Sequence, residues 1–199
     1  MPSLKENIIH EALRLFSLKG FSSTSITDIL EAAGVSKGGF YNHFKSKEDL
    51  FYAVLERARQ IWREKVLCGL DQVDDSIGKI CLLLQNYRDS YLIDFENIPG
   101  GCIFITLAVE LADQHPRLAD AVNQGFSGFK AMITGYLNQA QKAGDLRSTI
   151  STRAVAEMVF AGMLGASVMY GINKSADDLN HAIEAVIQYL NELVRVRSA

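Results

Sequence analysis

Proline and cysteine are scarce in this 199-residue chain, three of each. The prolines stand apart at Pro2, Pro99 and Pro116 and no low-complexity tract accompanies them, so neither a linker nor a disordered tail is indicated beyond the first few residues. Cys68, Cys81 and Cys102 are odd in number and lack CxxC spacing, and no secretory signal pattern opens the chain. A disulfide framework is thereby excluded, and the chain reads as a protein of the reducing cytoplasm. His10, His43, His115 and His181 fall on separate stretches without HxxxH spacing, so no metal site is expected, and nothing calls for a cofactor. Also missing are an oxyanion-hole loop, a triad-like motif and a phosphate-binding glycine loop, which argues against an enzyme even with Cys102 as a potential nucleophile.

An excess of one charge is lacking too. The net charge of −3 argues against polyanion binding over the whole surface. Residues 1–65 nevertheless carry ten Lys/Arg against eight Asp/Glu, leaving ten against fifteen for the remainder, so the amino-terminal third is the relatively basic part. The longest apolar run, residues 154–172, contains Glu157, is broken by Gly162, Gly165 and Gly171, and has no basic flanks. It reads as a buried helix rather than a membrane span.

What the chain does have is a 48% hydrophobic content arranged with helical periodicity. Ile8, Ala12, Leu15 and Phe16 share one face of a first helix, residues 5–19, which Gly20 stops. Ser25 with Asp28 caps a short second helix that ends at Gly34; Ser36 caps a third, and Ser46 with Asp49 a fourth running towards Cys68. Further helices are predicted over residues 75–95, 102–113, from Pro116 to Gly144, 152–170 and 176–196, with a break at Asn97-Ile98-Pro99-Gly100-Gly101 and no strand signal longer than 101–105. The fold class is all-α, about nine helices, with a three-helix helix-turn-helix domain at residues 1–48 and a larger helical domain at 49–199.

The third helix is unusual in its composition. After Ser36 come Lys37, Gly38 and Gly39, then Phe-Tyr-Asn-His-Phe. Glycine inside a helix costs about 1 kcal/mol relative to alanine, which surface packing would not require. In a helix-turn-helix the second helix enters the major groove, and glycines there let backbone amides approach phosphate. Phe40 and Phe44, four apart, turn into the core and leave Tyr41, Asn42 and His43 outward. Asparagine can pair with adenine, and tyrosine and histidine can reach phosphate or base, with Lys37, Lys45 and Lys47 around them.

The stretch GFSSTSITDILEAAGVSKGGFYNHFKSKEDLF resembles the amino-terminal DNA-binding domain of the TetR family of bacterial transcriptional regulators, over about the first sixty residues. The resemblance implies that Ser25 and Thr27 hold phosphate, that Ser36, Lys37, Gly38, Gly39, Tyr41, Asn42 and His43 form the recognition surface, and that Lys47 clamps the DNA backbone. It further implies a homodimer on double-stranded operator DNA, a small-molecule effector in the larger domain, and a repressor released from a palindromic site. Two other readings remain: an architectural DNA-binding protein without effector, and a sensor of electrophiles or oxidants acting through Cys102, which some relatives with Gly-Cys at this point resemble.

In the larger domain, helix 8 sets small residues Ala161, Gly162, Gly165 and Ala166 beside Met158 and Val168, and helix 9 carries the apolar stripe Ile183, Val186, Ile187, Leu190, Leu193 and Val194. These residues suit a four-helix subunit interface or an intrachain core equally; the resemblance favours the interface. Tyr87, Tyr91 and Phe95 recur at helical spacing, with Cys102, Phe104, Phe126 and Phe129 as further candidates for an apolar effector pocket or for plain core.

Overall fold

Helix α1, Leu4–Lys19, begins at a reciprocal cap: the Ser3 hydroxyl accepts from the Glu6 amide and the Glu6 carboxylate accepts from the Ser3 amide. The computed structural model, which describes residues 3–194, continues with α2 Ile26–Ala33, α3 Lys37–Tyr41, α4 Lys47–Val66, α5 Ser76–Asn86, α6 Ile103–Leu111, α7 Pro116–Ala143, α8 Thr152–Asn173 and α9 Ala176–Leu193. A 3-10 turn at Leu70–Gln72 precedes α5, and a π turn at Tyr87–Tyr91 follows it. Among the described residues the strand content is a single bridge between Leu146 and Val194.

Several predicted helices change their limits, α1 starting at Leu4, α6 spanning Ile103–Leu111 and α8 running to Asn173, and two further changes alter the reading. The one expected over residues 75–95 passes into the π turn at Tyr87, so the aromatic spacing does not persist to Phe95, which lies beyond it and is 53% exposed. The last helix ends at Leu193, and Val194 enters the bridge instead. Residues 195 and 196, expected to extend that helix, lie outside the described residues.

The chain divides into two compact units, Met1–Arg63 with Leu92–Val122, and Glu64–Tyr91 with Asn123–Ala199. In the first, α1, α2, α3 and α4 close around Ile8, Leu13, Phe16, Phe21, Ile29, Phe40 and Phe51, all 2% exposed or less. Phe21 is the hub, meeting Phe16 and Phe51 edge-on at 5.5 and 5.4 Å between ring centroids. Helix α6 belongs to this unit and buries Ile103, Leu107 and Leu111 completely. Ahead of it, the 94–101 loop docks on α1: Arg14 donates to the Phe95 and Glu96 carbonyls, and the Gly100 amide donates to Ser17 Oγ at 3.2 Å. A methyl on Gly100 would run into the Ser17 carbonyl, so only glycine permits this approach.

In the second unit α8 packs along α9, and Gly162 lets the Val186 side chain close on the helix backbone. Arg88, in the π turn, reaches across to Asn180 and Glu184 of α9 and pairs with Asp89; the Asp89 carboxylate first, and Glu184 second, hold its guanidinium charged beyond its ordinary range. Burial, aided by the Asp75 and Glu184 carboxylates, pushes the Cys81 thiol up to about 11.

Candidate nucleic-acid interface

The turn from α2 to α3 is built from local chemistry. Gly34 takes the left-handed conformation, φ +63°, and closes α2 with its amide on the Leu30 and Glu31 carbonyls. Two residues later Ser36 is extended, and its hydroxyl accepts from the Gly39 amide at 3.1 Å. Helix α3 lasts only to Tyr41, and Phe40 and Phe44 both turn inward, 0% and 3% exposed, with their rings 5.7 Å apart. Asn42 is the C-cap, so Asn42 and His43 stand in the turn beyond the helix rather than on it.

Lys37, Gly38, Tyr41, Asn42, His43 and Lys45 are all exposed, as are Ser25 and Thr27 at the start of α2. Ser25 and Ser36 each use their hydroxyl oxygen as an acceptor within the chain and keep a proton to donate outward. A methyl on Gly38 or Gly39 would meet nothing closer than 3.5 Å, so packing inside the chain does not call for glycine at either position. The two glycines leave backbone open on the outside.

Asp28 links α2 to α1. Its carboxylate accepts from Lys19 Nζ and from the Ser25 amide, each at 2.8 Å. The Lys19 ammonium first, and the Ser25 amide second, hold its carboxyl down to about 2.

Lys47 is half-buried. Its ammonium donates to the Phe21 and Thr24 carbonyls, both at 2.9 Å, and lies 4.2 Å from the Phe21 ring centroid. Burial lowers its pKa against the opposing pull of Glu110, Glu48 and Asp28. Two of its three protons are thus committed to the turn between α1 and α2, leaving one for a phosphate. Sequence reasoning missed Glu110, whose carboxylate accepts from the amides of Phe21 at 2.7 Å and Ser22 at 2.6 Å on that same turn. No local signal marks it, since its partners are 88 and 89 residues away.

Among the effector candidates, Tyr87 and Tyr91 are buried and stacked, ring centroids 5.4 Å apart. Ser167 donates to the Met163 carbonyl, so the contact of 2.6 Å between Tyr87 Oη and Ser167 Oγ must use the tyrosine proton. Phe126 and Phe129 meet around Phe160, at 5.3 and 5.8 Å. Cys102 and Phe104 lie in the other unit, Cys102 buried as the N-cap of α6 and Phe104 half-buried.

The residues considered for a subunit interface separate by exposure. Ile183, Ile187 and Leu190 are buried within the chain, 7% exposed or less, and Gly162 packs on Val186. Met158, Ala161, Gly165 and Val168 are exposed and continue with Met169 and Ile172 as one apolar stripe along α8. Among the described residues no group of His, Cys, Asp and Glu could hold a metal ion.

A capped helix-turn-helix with an exposed polar and glycine-rich second helix defines a DNA-binding protein. Residues 8–54 match the family model for bacterial regulatory proteins of the tetR family, and residues 77–186 match that for a tetracyclin repressor-like C-terminal domain. The chain belongs to the TetR family: it is a DNA-binding transcription regulator and not an enzyme. A TetR transcriptional regulator from Chloroflexus aurantiacus J-10-FL superposes with a TM-score of 0.88 at 30% identity, covering 96% of each chain. The transcriptional repressor NemR of Escherichia coli K12 is 25% identical over 92% of this chain and 91% of its own. The transcriptional repressor DhaR of Mycobacterium sp. strain GP1 is 24% identical over 94% of this chain and 92% of its own.

Proposed function

We propose that the chain is a cytoplasmic repressor that binds a palindromic operator as a homodimer and is released by a small, mostly apolar effector. The observation that carries the DNA-binding surface is the pair Gly38 and Gly39, which internal packing does not require and which put no side chain between the backbone and a ligand beside Lys37, Tyr41, Asn42 and His43. In this reading Ser25, Thr27 and Ser36 donate to phosphate, Lys47 spends its remaining proton there, and Asn42 reads a base. Residues 1–48 carry this surface and residues 49–199 the rest. The names of NemR and DhaR, repressors matched over nine-tenths of their length, support repression over activation.

The α8 stripe supports the dimer. Helix α8 is long and apolar enough to cross a membrane, with mean hydropathy 1.6, yet 44% of it is buried inside the chain and the rest of its apolar surface is one face. A second copy covering that face, with small residues permitting close approach, suits it better than lipid. For the effector, the buried Tyr87-Ser167 pair and the Phe126, Phe129 and Phe160 cluster offer aromatic walls with a polar handle. Cys102 is 9% exposed, and we read it as packing at the start of α6 rather than as a sensor.

The test is a mobility shift on a duplex selected from random sequence by the protein itself, repeated across a panel of small apolar compounds. A regulator releases the duplex with one of them, and Phe129→Ala weakens that release. A coupling of about 1–3 kcal/mol suffices for a change of several-fold in occupancy. Selection of no preferred duplex, or retention throughout a broad panel, counts for an architectural role.

A further inference from the structure

We propose that Glu110, on α6 and outside the helix-turn-helix, is a positioning residue for operator binding: its carboxylate grips the turn between α1 and α2 and thereby sets where Ser25 and Thr27 meet phosphate. This rests on the DNA-binding reading above.

The turn consists of residues 20–24, and its polar groups are held from both sides. Glu110 takes the Phe21 and Ser22 amides, while Lys47 takes the Phe21 and Thr24 carbonyls. Thr24, fully buried, closes the loop by donating Oγ1 to the Gly20 carbonyl at 2.6 Å. Gly20 adopts φ +81°, and a methyl there would collide with the Glu110 carboxylate, so the carboxylate occupies the space that a side chain at position 20 would need. Thr24 is followed at once by Ser25, the N-cap of α2. Any shift of the turn therefore passes directly to the end of α2 that faces phosphate.

Glu110 is itself well anchored. Ile103, Leu107 and Leu111 of the same helix are completely buried, so the carboxylate projects from a fixed rod rather than from a mobile loop. A glutamate is otherwise an unfavourable choice for a DNA-binding unit, because its charge repels phosphate. Two amide donors and the nearby Lys47 ammonium absorb that charge here and turn it into a grip.

The experiment compares wild type, Glu110→Gln and Glu110→Ala as full-length protein, on the self-selected duplex and on a random duplex, over a range of salt. Glutamine keeps the shape but offers one acceptor in place of two, so it remains informative if the alanine variant fails to fold. The expected result for Glu110→Gln is roughly tenfold weaker operator binding at a temperature where the protein is fully folded. The slope of log K against log salt should stay close to that of the wild type, because Ser25 and Thr27 meet phosphate through neutral hydroxyls that release no counterions. Amide exchange at Phe21 and Ser22 should quicken while that at Phe16 stays slow. Unchanged affinity with a lowered Tm would make Glu110 a stability residue only and overturn the proposal. Tighter binding to both duplexes would show that its charge merely repels DNA, with the same consequence. Failure of the wild type to prefer any duplex would instead strike the DNA-binding reading.

Discussion

Asn42 is one of the few side chains here whose contribution to specificity and to stability can be separated. It is exposed at the C-cap of α3 and has no side-chain contact that the core depends on. Asn42→Ala is expected to lose about 1–3 kcal/mol on the selected duplex. The random duplex should be unaffected, and parallel titrations of the two decide the point; equal losses would remove its base-reading role. Asp28 answers to pH instead. Its folded-state pKa lies near 2, below the ordinary 3.8, so its contribution to stability is present above about pH 4 and is lost as the pH falls through that interval. The Tm difference between wild type and Asp28→Asn should therefore be largest between about pH 5 and 7 and shrink towards about pH 2. A difference that stays constant over that range would refute the Lys19 pairing as its source. Residues of this kind were legible in the sequence, because Ser25 with Asp28 and Ser36 with Gly39 find their partners three positions on. The Ser3 and Glu6 box has the same spacing but was not read from the sequence, and it sets α1 one residue earlier than the periodicity alone. Glu110 was not legible, since nothing within a turn of it announces partners in the loop between α1 and α2.

Elements depend on how closely one backbone can approach another. Gly100 lets the 94–101 loop lie against the end of α1, and a methyl there meets a backbone carbonyl, which cannot swing aside as a side chain could. Gly100→Ala should lower stability by about 1–3 kcal/mol. Gly125, inside α7 with nothing within 4 Å of a methyl, should gain up to about 1 kcal/mol on the same change. Urea midpoints measured side by side test both signs at once. The limits of the helices were read well where glycine or a capping hydroxyl punctuates the chain. They failed at Tyr87, where one extra residue per turn enters the helix without any change in composition. That π turn keeps Tyr87 and Tyr91 stacked inside and leaves Phe95 outside, an outcome that spacing of aromatics cannot foresee.

At the scale of the whole molecule, the two apolar helices α8 and α9 differ in exposure in a way that their composition does not distinguish. Of the helix 9 stripe, Ile183, Val186, Ile187 and Leu190 are buried within the chain and Leu193 and Val194 half-buried, while the exposed apolar stripe belongs to α8. The same residue types serve both purposes, and only burial tells them apart. Gly165→Glu, in open space on that stripe, should leave the fold intact and yield monomers in sedimentation, with tight operator binding lost. Leu190→Asp should instead lower the Tm directly, since it places a charge in the core. An intact Gly165→Glu dimer would move the interface elsewhere.

The unit that contains the helix-turn-helix is not continuous in sequence: it takes residues Met1–Arg63 and then Leu92–Val122, with other chain between them. A DNA-reading head could be exchanged by joining the amino-terminal part of one chain to the carboxy-terminal part of another only if the head were continuous in sequence. In this chain a crossover after Arg63 would leave behind Glu110 and Gly100, so the transplanted head would meet a stranger's carboxylate and a stranger's loop. Change of specificity is thereby channelled to Tyr41 and to Asn42 just beyond α3, where on the proposed reading a substitution alters what is read without a matching change at a partner more than eighty residues away.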